Sequence, residues 1–198
     1  MKYETICKTL YVLYTIPVQI VAKLIGVRMP YSVYFAGFPF IVKKKNATIE
    51  IGKQCRFMSW KEGNLIGLNH RCMLSASTSG AILRIGGGCS FSGVSIWCFE
   101  KIEIGNHVRV GANVLIMDGD AHQDDLRAGK NAPICIEDNV WIGGGVIILK
   151  GVTIGRNSIV GAGSVVTKDI PNNVVAAGNP CKAIRELDEQ VIRKLESY

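Results

Sequence analysis

One stretch of the sequence, residues 117–133, combines residue types that could catalyse a proton transfer. It contains His122 together with Asp118 and Asp120, each separated from the next by one residue. Because histidine changes its charge near neutral pH, its imidazole is suited to act as a general base. Asp118 or Asp120 is predicted to orient the ring and to stabilise the imidazolium. A polar surface loop without chemistry is the alternative interpretation of this stretch.

This stretch interrupts a regular repeat of aliphatic residues. From residue 104 an aliphatic side chain recurs every six positions, and a compact residue follows most of these four positions later. The aliphatic positions are Ile104, Val110, Ile116, Ile136, Ile142, Ile148, Ile154, Val160 and Val166. This period fits neither an α-helix nor an alternating strand, but it is typical of hexapeptide β-helix repeats. The sequence therefore predicts an all-β solenoid of stacked coils, with residues 117–133 inserted as a surface loop.

Degraded copies of the repeat occur earlier in the chain. Cys55 and Cys89 take the compact position there and are predicted to be core residues. The seven cysteines contain no CxxC pair, so neither a disulfide framework nor a cysteine zinc site is expected, and a reducing cytosol fits best. His107 takes an outward position of its hexad, which favours a surface role, and His70 lies in an irregular stretch.

The repeat divides the chain into three parts. Residues 47–181 are predicted to form the β-helix domain. Residues 1–46 show the apolar spacing of an amphipathic helix followed by several aromatic residues, so they are predicted to cap the open end of the solenoid. Residues 182–198 keep helical spacing and are predicted to form a C-terminal helix.

Size and charge exclude several classes of protein. With 198 residues, 48% hydrophobic and 20% charged, the chain is expected to form one globular domain, and its uncharged stretches are too short for a transmembrane helix. A secretory signal is not expected, because no small-residue cleavage site follows the first apolar stretch. Residues 1–53 hold eight basic and two acidic residues, which accounts for most of the net charge of +7. This segment is predicted to form a solvated rim or to contact an acidic membrane surface. Nucleic-acid binding is not expected, because no recognition motif accompanies the charge.

Several motifs resemble those of a known enzyme family. They are Asp118-x-Asp120-x-His122, Asn139-Val140-Trp141-Ile142-Gly143, Gly151-Val152-Thr153-Ile154-Gly155, Gly161-Ala162-Gly163-Ser164-Val165-Val166, Thr167-Lys168-Asp169-Ile170-Pro171 and Ala177-Gly178-Asn179-Pro180. In this order they are similar to the hexapeptide-repeat acyltransferases, and most of all to the sugar O-acetyltransferases of the galactoside, capsule and O-antigen types. The resemblance covers residues 47–187 and implies a left-handed parallel β-helix.

The resemblance also implies an activity and an assembly. It implies a homotrimer with active sites between subunits and acetyl-CoA as the acyl donor, with no metal. By this analogy His122 is the general base that takes a proton from a sugar hydroxyl, which then attacks the thioester directly. Backbone N–H groups of adjoining coils would stabilise the oxyanion. The implied location is the cytoplasm, at the inner face of the membrane if residues 1–45 contact lipid.

The resemblance further assigns residues to coenzyme binding. They are Trp141, Gly143, Ala162, Thr167, Lys168, Lys182 and Arg185. Trp141 would border the site, and the small residues at the two turns would leave room for the pantetheine arm. The basic side chains would bind the phosphates through charge-assisted hydrogen bonds. The alternatives are a trimer-interface aromatic for Trp141 and a solvated helix face for Lys182 and Arg185.

The sequence departs from the galactoside-type pattern at residues 1–45 and in the irregular hexads of residues 54–82. These departures favour a glycan or lipid-linked sugar as acceptor. The alternatives are transfer to an aminosugar nucleotide or to serine, a zinc carbonic anhydrase, and a non-catalytic scaffold. The three histidines lack the close spacing of zinc ligands. The retained loop histidine and coenzyme-lining residues argue against a scaffold.

Overall fold

The structure is a computed structural model that describes residues 3–122 and 124–196. Residues 1, 2, 197 and 198, which the predicted terminal segments include, lie outside the described part of the chain, as does residue 123 of the predicted loop. Most of the chain winds into a parallel β-helix in which each coil contributes strands to three flat faces. A helix precedes the first coil, and a strand and a helix follow the last one.

The elements follow each other coil by coil. The chain begins with α1 (Tyr3–Leu24). Coil 1 contains β1 (Tyr34–Ala36), β2 (Phe40–Lys43) and β3 (Thr48–Ile51). Coil 2 contains β4 (Arg56–Met58), a short 3₁₀ helix (Lys61–Gly63), β5 (Met73–Ala76) and β6 (Ile82–Ile85). Coil 3 contains β7 (Ser90–Ser92), β8 (Ser95–Cys98) and β9 (Lys101–Ile104).

The remaining coils carry the loop and the C-terminal elements. Coil 4 contains β10 (Arg109–Ala112), β11 (Leu115–Met117) and β12 (Ile134–Ile136). Coil 5 contains β13 (Trp141–Ile142), β14 (Ile147–Ile148) and β15 (Thr153–Ile154). Coil 6 contains β16 (Ile159–Val160) and β17 (Val165–Val166). The chain then returns to face 1 as β18 (Val174–Gly178), which begins an incomplete last coil, and it continues with β19 (Cys181–Glu186) and α2 (Glu189–Glu196).

Strands of successive coils pair in parallel and form the three faces. Face 1 has the order β1-β4-β7-β10-β13-β16-β18-β19, face 2 has β2-β5-β8-β11-β14-β17, and face 3 has β3-β6-β9-β12-β15. The edges are named here after the faces that they join. Edge 1/2 includes residues 143–146 and 161–164, and edge 2/3 includes residues 118–133, 149–152 and 167–169. Edge 3/1 includes residues 105–108, 137–140 and 155–158.

The hexad positions form the core, as the sequence predicts. The nine predicted aliphatic residues are all buried, as are the compact residues four positions after them. Their side chains stack in columns through the coils, since equivalent residues such as Val110 and Ile142 are paired in register. In coils 1 to 3 a stack of phenylalanines, Phe35, Phe57 and Phe91, takes the same inward column, with ring centroids 5.2 and 4.9 Å apart. Cys55 and Cys89 are buried, which confirms the prediction that they are core residues.

Turns at edge 3/1 repeat one left-handed backbone conformation. Asn139, Asn157 and Asn173 have φ values near +60° and form a side-chain ladder, in which each Nδ2 donates to the next Oδ1 at 3.1 and 2.7 Å. Asparagine adopts this conformation more readily than most residues. His107 occupies the same column with a φ of 58°. It is exposed there, in agreement with the surface role that its hexad position favours.

The two ends of the solenoid differ from the predicted boundaries. The β-helix starts at Tyr34 rather than at residue 47. In its first coil Phe35 takes the face 1 position, and Ile41 and Ile51, which take the positions on faces 2 and 3, are ten residues apart instead of six. Residues 182–186 are not helical: they belong to β19, which runs antiparallel to β18 and closes face 1, so the C-terminal helix begins only at Glu189. At the other end α1 packs against β1, so a helix covers the first coil.

Candidate active site

The loop of residues 118–133 leaves the β-helix at edge 2/3 between β11 and β12. Its first residue, Asp118, is completely buried. The Asp118 carboxylate accepts hydrogen bonds from the backbone N–H groups of Phe99, Glu100 and Lys101 at 2.6, 2.9 and 2.6 Å. These three groups form the equivalent turn of coil 3, so Asp118 joins the base of the loop to the coil beside it. This is a correction to the sequence-based role, because the carboxylate is occupied by a turn and does not orient His122.

A second carboxylate holds the body of the loop to coil 5. Asp120 Oδ2 accepts hydrogen bonds from Lys150 Nζ at 2.6 Å and from the Gly129 backbone N–H at 2.9 Å. The hydrogen bond from Lys150, together with that from Gly129, lowers the pKa of the Asp120 carboxyl below its ordinary value. The loop is thus connected to the preceding coil through Asp118 and to the following coil through Asp120.

Sequence reasoning missed Lys150. Its signal was a basic residue in the turn directly before Gly151, one coil after the inserted loop and on the same edge. A hexad pattern records which positions point inward, but it does not show that a turn in one coil lies beside a loop from another. The Lys150 side chain is about one quarter exposed, so its charge is partly shielded from water by the loop that it binds.

His122 lies in the exposed part of the loop, and its backbone carbonyl accepts a hydrogen bond from the Asp125 N–H at 3.1 Å. The other two histidines lie elsewhere. His107 is at edge 3/1, and His70 is in the insertion between β4 and β5, which packs at edge 1/2 through the contact of Asn69 with Asn113. Within the described part of the chain no three His, Cys, Asp or Glu side chains come together as a metal site would require.

The predicted coenzyme residues lie on two different edges of the solenoid. Thr167 and Lys168 are exposed at edge 2/3, two coils beyond the His122 loop. Trp141, on β13 of face 1, is 55% exposed and leads directly into edge 1/2, where Ala162 is also exposed. Face 2 separates the two groups by roughly 15 Å, the length of a strand of four to five residues. Within one chain they cannot line the same small pocket.

The backbone bears on two of the predicted assignments. A Cβ atom on Gly143 would lie 2.5 Å from the backbone N of Ala162, so the next coil already requires glycine there. Packing against the next coil is thus a sufficient reason for glycine at position 143, and the role of Gly143 in leaving room for a ligand stays a prediction. Lys182 and Arg185 lie on β19 and not on a helix. Lys182 pairs with Ala177 at the edge 1/2 end of face 1, and both basic side chains are exposed.

One groove lies away from His122, along face 3. It has a volume of about 950 Å³ and is lined by Arg28, Glu50, Arg84 and Glu103 among others. Glu50 pairs with Arg28 and Arg84 at 2.5 and 2.9 Å, and Arg84 also pairs with Glu103 at 3.2 Å. Hydrogen bonds, the strongest from Arg84, keep the pKa of Glu50 below its ordinary value. The charges of this groove neutralise one another, so it is not the candidate site.

Six cysteines are free thiols, and those near the site are poor nucleophiles; the six are Cys55, Cys72, Cys89, Cys98, Cys135 and Cys181. Cys98 lies beneath the loop base, where its Sγ is 3.6 Å from Asp118 Oδ2. Burial, together with the adjacent Asp118 charge, raises the pKa of Cys98 to about 12. A thiol with this pKa stays protonated at neutral pH and cannot form an acyl-enzyme readily. His122 is therefore the candidate for proton transfer at this edge.

The repeat in the second half of the β-helix is similar to that of a known family. Residues 136–168 match the family model of the bacterial transferase hexapeptide, six repeats. This match and the fold confirm the predicted left-handed β-helix of hexapeptide repeats and the resemblance to the hexapeptide-repeat acyltransferases.

Named relatives specify the resemblance further. The galactoside O-acetyltransferase of Lactococcus lactis is 54% identical over 93 residues, which are 44% of this chain and 44% of that relative. A maltose O-acetyltransferase structure from Clostridium difficile has 28% identity and a TM-score of 0.52, covering 93% of this chain and 86% of that one. A galactoside acetyltransferase in complex with coenzyme A has 28% identity and a TM-score of 0.50, covering 95% and 80%. The chain spans about half or less of the length of the first curated relatives that it matches.

Proposed function

We propose that the protein is an acetyl-CoA-dependent O-acetyltransferase that modifies a sugar hydroxyl. The observation that carries the proposal is the His122 loop, which Asp118 and Asp120 fix to edge 2/3 of a hexapeptide β-helix. The matched relatives include galactoside and maltose O-acetyltransferases, and one of these was solved with coenzyme A. Direct transfer to a hydroxyl requires a general base that is held in place. The loop would hold His122 in this way, because other residues fix it to the β-helix.

In the proposed assembly three copies form a trimer with parallel axes, and each active site lies between two of them. The positions of the predicted residues support this arrangement. His122, Thr167 and Lys168 lie at edge 2/3, whereas Trp141 and Ala162 lie on the other side of face 2. Edge 2/3 of one copy facing edge 1/2 of the next would bring the two groups to one cleft, with Lys182 and Arg185 beside it to bind the coenzyme phosphates.

The proposed reaction needs no covalent intermediate. His122 accepts the proton of the sugar hydroxyl while the hydroxyl oxygen attacks the thioester carbonyl carbon of acetyl-CoA. Backbone N–H groups of the adjoining coils stabilise the resulting oxyanion. The C–S bond then breaks, the acetyl ester forms, and the proton held by His122 passes to the coenzyme thiolate. Among the residues that the structure describes, the buried thiols are unsuited to replace the imidazole in this role.

The proposed acceptor is a glycan, a polysaccharide precursor or a lipid-linked sugar, and the proposed location is the cytoplasm at the inner face of the membrane. The cap formed by α1 supports this location through its charge and its exposed apolar side chains. Such an acceptor would present its sugar next to a lipid surface. The reaction would therefore serve the assembly of a surface polysaccharide.

Calorimetric titration with acetyl-CoA tests the donor, and mass spectrometry of sugar acceptors tests the transfer. We expect one site per chain with micromolar affinity and a mass increase of one acetyl group on an acceptor. The acceptor panel should include an aminosugar nucleotide and serine, so that transfer to nitrogen or to a small hydroxyl would be seen. Absence of both heat and thermal stabilisation would contradict the proposal and favour a scaffold.

Asp120→Asn is expected to reduce the transfer rate by about tenfold, less than removal of His122 itself. The amide keeps an acceptor for the Gly129 N–H but loses the charge that binds Lys150. The ratio of kcat to KM for the acceptor measures the effect. Lys150→Met should act on the rate in the same direction, whereas Arg127→Met removes an equally basic group from an exposed pair with Asp125 and should be neutral. Equal rates for all three variants would deny the Asp120–Lys150 pair a positioning role.

The Asp120–Lys150 pair predicts that the conformation of the loop depends on pH. Because the pKa of Asp120 is lowered in the folded protein, its stabilising contribution is present above the ordinary carboxyl pKa of 3.8 and is lost as the pH falls through the lowered value. The wild-type loop should therefore keep its conformation at neutral pH and loosen only in acid. Limited proteolysis of the loop at different pH values measures this change, and Lys150→Met should loosen the loop already at neutral pH.

A further inference from the structure

The end of the solenoid that carries α1 exposes several large apolar side chains. The outward side of α1 contains Leu13, Ile16, Ile20, Val21 and Leu24, which are between 56% and 81% exposed. Three aromatic residues of the following segment, Tyr31, Phe38 and Phe40, are also exposed at this end. Large exposed apolar patches are unusual on a soluble surface and mark a contact with a partner or a membrane. We call this set of side chains the cap surface.

The opposite side of α1 already has its partner, so the cap surface is not a displaced part of the core. Val18 and Ala22 are buried against the first coil. Gln19 Nε2 donates to the carbonyl oxygens of Tyr31 and Val33 at 3.0 and 2.7 Å, and the Phe35 N–H donates to Thr15 Oγ1 at 3.0 Å. These polar contacts fix the rotation of the helix about its axis. The apolar side chains therefore face outward in a defined orientation.

Basic residues are abundant in the segment that forms the cap surface. Residues 13–56 contain seven basic residues and a single acidic residue, Glu50, which is neutralised by its pairs with Arg28 and Arg84. Lys44 and Lys45 are exposed at the first coil, in the turn that follows β2. Lys23 lies over the Tyr31 ring with its Nζ 3.3 Å from the ring centroid. An apolar surface with a basic rim is complementary to the hydrocarbon and the anionic headgroups of a lipid surface.

We infer that the cap surface docks the protein on an anionic lipid bilayer, with α1 lying in the plane of the interface. Within the described residues no helix has the length and apolar character needed to span a bilayer. An interfacial helix places its apolar side at the boundary between headgroups and acyl chains, while basic residues contact the headgroups. This inference adds a docking surface and an orientation to the membrane location given in the proposed function. Its biological purpose rests on that proposed function.

The proposed trimer would strengthen this docking. In a closed ring of three parallel solenoids, all three caps face the same side. Three weak surfaces on one rigid body then act together, and their combined affinity exceeds that of any one of them. A second copy of the chain is the competing occupant of the cap surface. The basic rim argues against it, because two such rims facing each other would repel.

Vesicle sedimentation tests the inference with two matched triple variants. Leu13→Ser/Ile20→Ser/Leu24→Ser removes exposed aliphatic groups from the cap surface. Leu65→Ser/Ile66→Ser/Val191→Ser removes three exposed groups elsewhere, since residues 65 and 66 lie in the insertion that packs on coil 4 and Val191 lies in α2. The probe is vesicles of equal parts phosphatidylglycerol and phosphatidylcholine, with pure phosphatidylcholine vesicles as the uncharged comparison.

The full chain is expected to sediment with the anionic vesicles and to be released when the salt is raised to about 0.5 M. The cap variant should bind at least about tenfold more weakly, Lys44→Gln/Lys45→Gln about tenfold more weakly, and the control variant as tightly as the wild type. Equal binding by all variants, no binding by the full chain, or a change in oligomer size for the cap variant alone would overturn the inference. Titration of the cap variant with acetyl-CoA distinguishes failure of the docking inference from failure of the proposed function. The cap variant should still bind the coenzyme, because the substitutions lie outside the proposed coenzyme site.

Discussion

His122→Asn is expected to lower the rate of acetyl transfer by about 10²–10⁴-fold, which is the usual contribution of a positioned general base. The hydroxyl of a sugar is a poor nucleophile at neutral pH unless its proton is accepted as the bond to carbon forms. The substitution replaces an exposed side chain in the loop, so the free energy of unfolding and the affinity for acetyl-CoA should not change. Steady-state kinetics on an acceptor found by mass spectrometry, combined with calorimetry, measures both.

His107→Asn is the matched control for this variant. His107 is also exposed, but it lies at edge 3/1 in the column where asparagine already occurs in three other coils with the same left-handed φ. The control should therefore fold normally and transfer acetyl groups at the wild-type rate. If His122→Asn retained more than about one tenth of the activity, the imidazole would not be the base, and another acceptor of the proton would have to be sought.

Asp118→Ala is expected to give the largest loss of stability among the loop variants. It leaves three backbone N–H groups of the coil 3 turn without their buried acceptor. Since an unsatisfied buried donor costs about 1–3 kcal/mol, and water would satisfy part of the set, the free energy of unfolding should fall by about 3 kcal/mol. The transition midpoint in urea measures this change. Activity should fall as well, because the loop that carries His122 loses its attachment.

Two further carboxylate variants test whether the loss of stability depends on the buried contacts of Asp118. Asp125→Ala removes an exposed loop carboxylate that pairs with Arg127, and it should change the stability by less than about 0.5 kcal/mol. Asp118→Asn keeps one oxygen acceptor, so its loss of stability should lie between those of Asp118→Ala and Asp125→Ala. If Asp118→Ala were as stable as Asp125→Ala while transfer was lost, Asp118 would act on the chemistry directly, and the anchoring role would be contradicted.

The core of coils 4 to 6 could be predicted from the sequence because its inward hexad positions are filled by the same kind of aliphatic side chain. Coils 1 to 3 were less predictable, since Phe35, Phe57 and Phe91 fill the column that aliphatic residues fill later. The sequence also did not predict that β19 is a strand antiparallel to β18. Its exposed residues have a spacing that also fits a helix, and only their pairing with β18 decides between the two structures.

The site was predictable to a more limited extent. The interruption of the hexads located the loop, and the rarity of histidine pointed to His122. The sequence could not separate the roles of Asp118 and Asp120, because the separation depends on which turn lies beside each carboxylate. One faces the N–H groups of the turn at Phe99–Lys101, and the other faces Lys150 of the next coil. Such contacts between coils carry no signature along the chain.

The stacking of the coils fixes the distance between the cap and the loop that carries His122. The cap lies against coil 1, whereas the His122 loop emerges from coil 4, so three inter-coil steps of about 4.8 Å raise the loop by about 14 Å above the first coil. On a protein docked through its cap, the reacting hydroxyl would be held at that distance from the lipid headgroups. Acceptors would thus be selected by how far their sugar extends from its anchor, and adding or deleting one whole coil would shift that selection by about 5 Å.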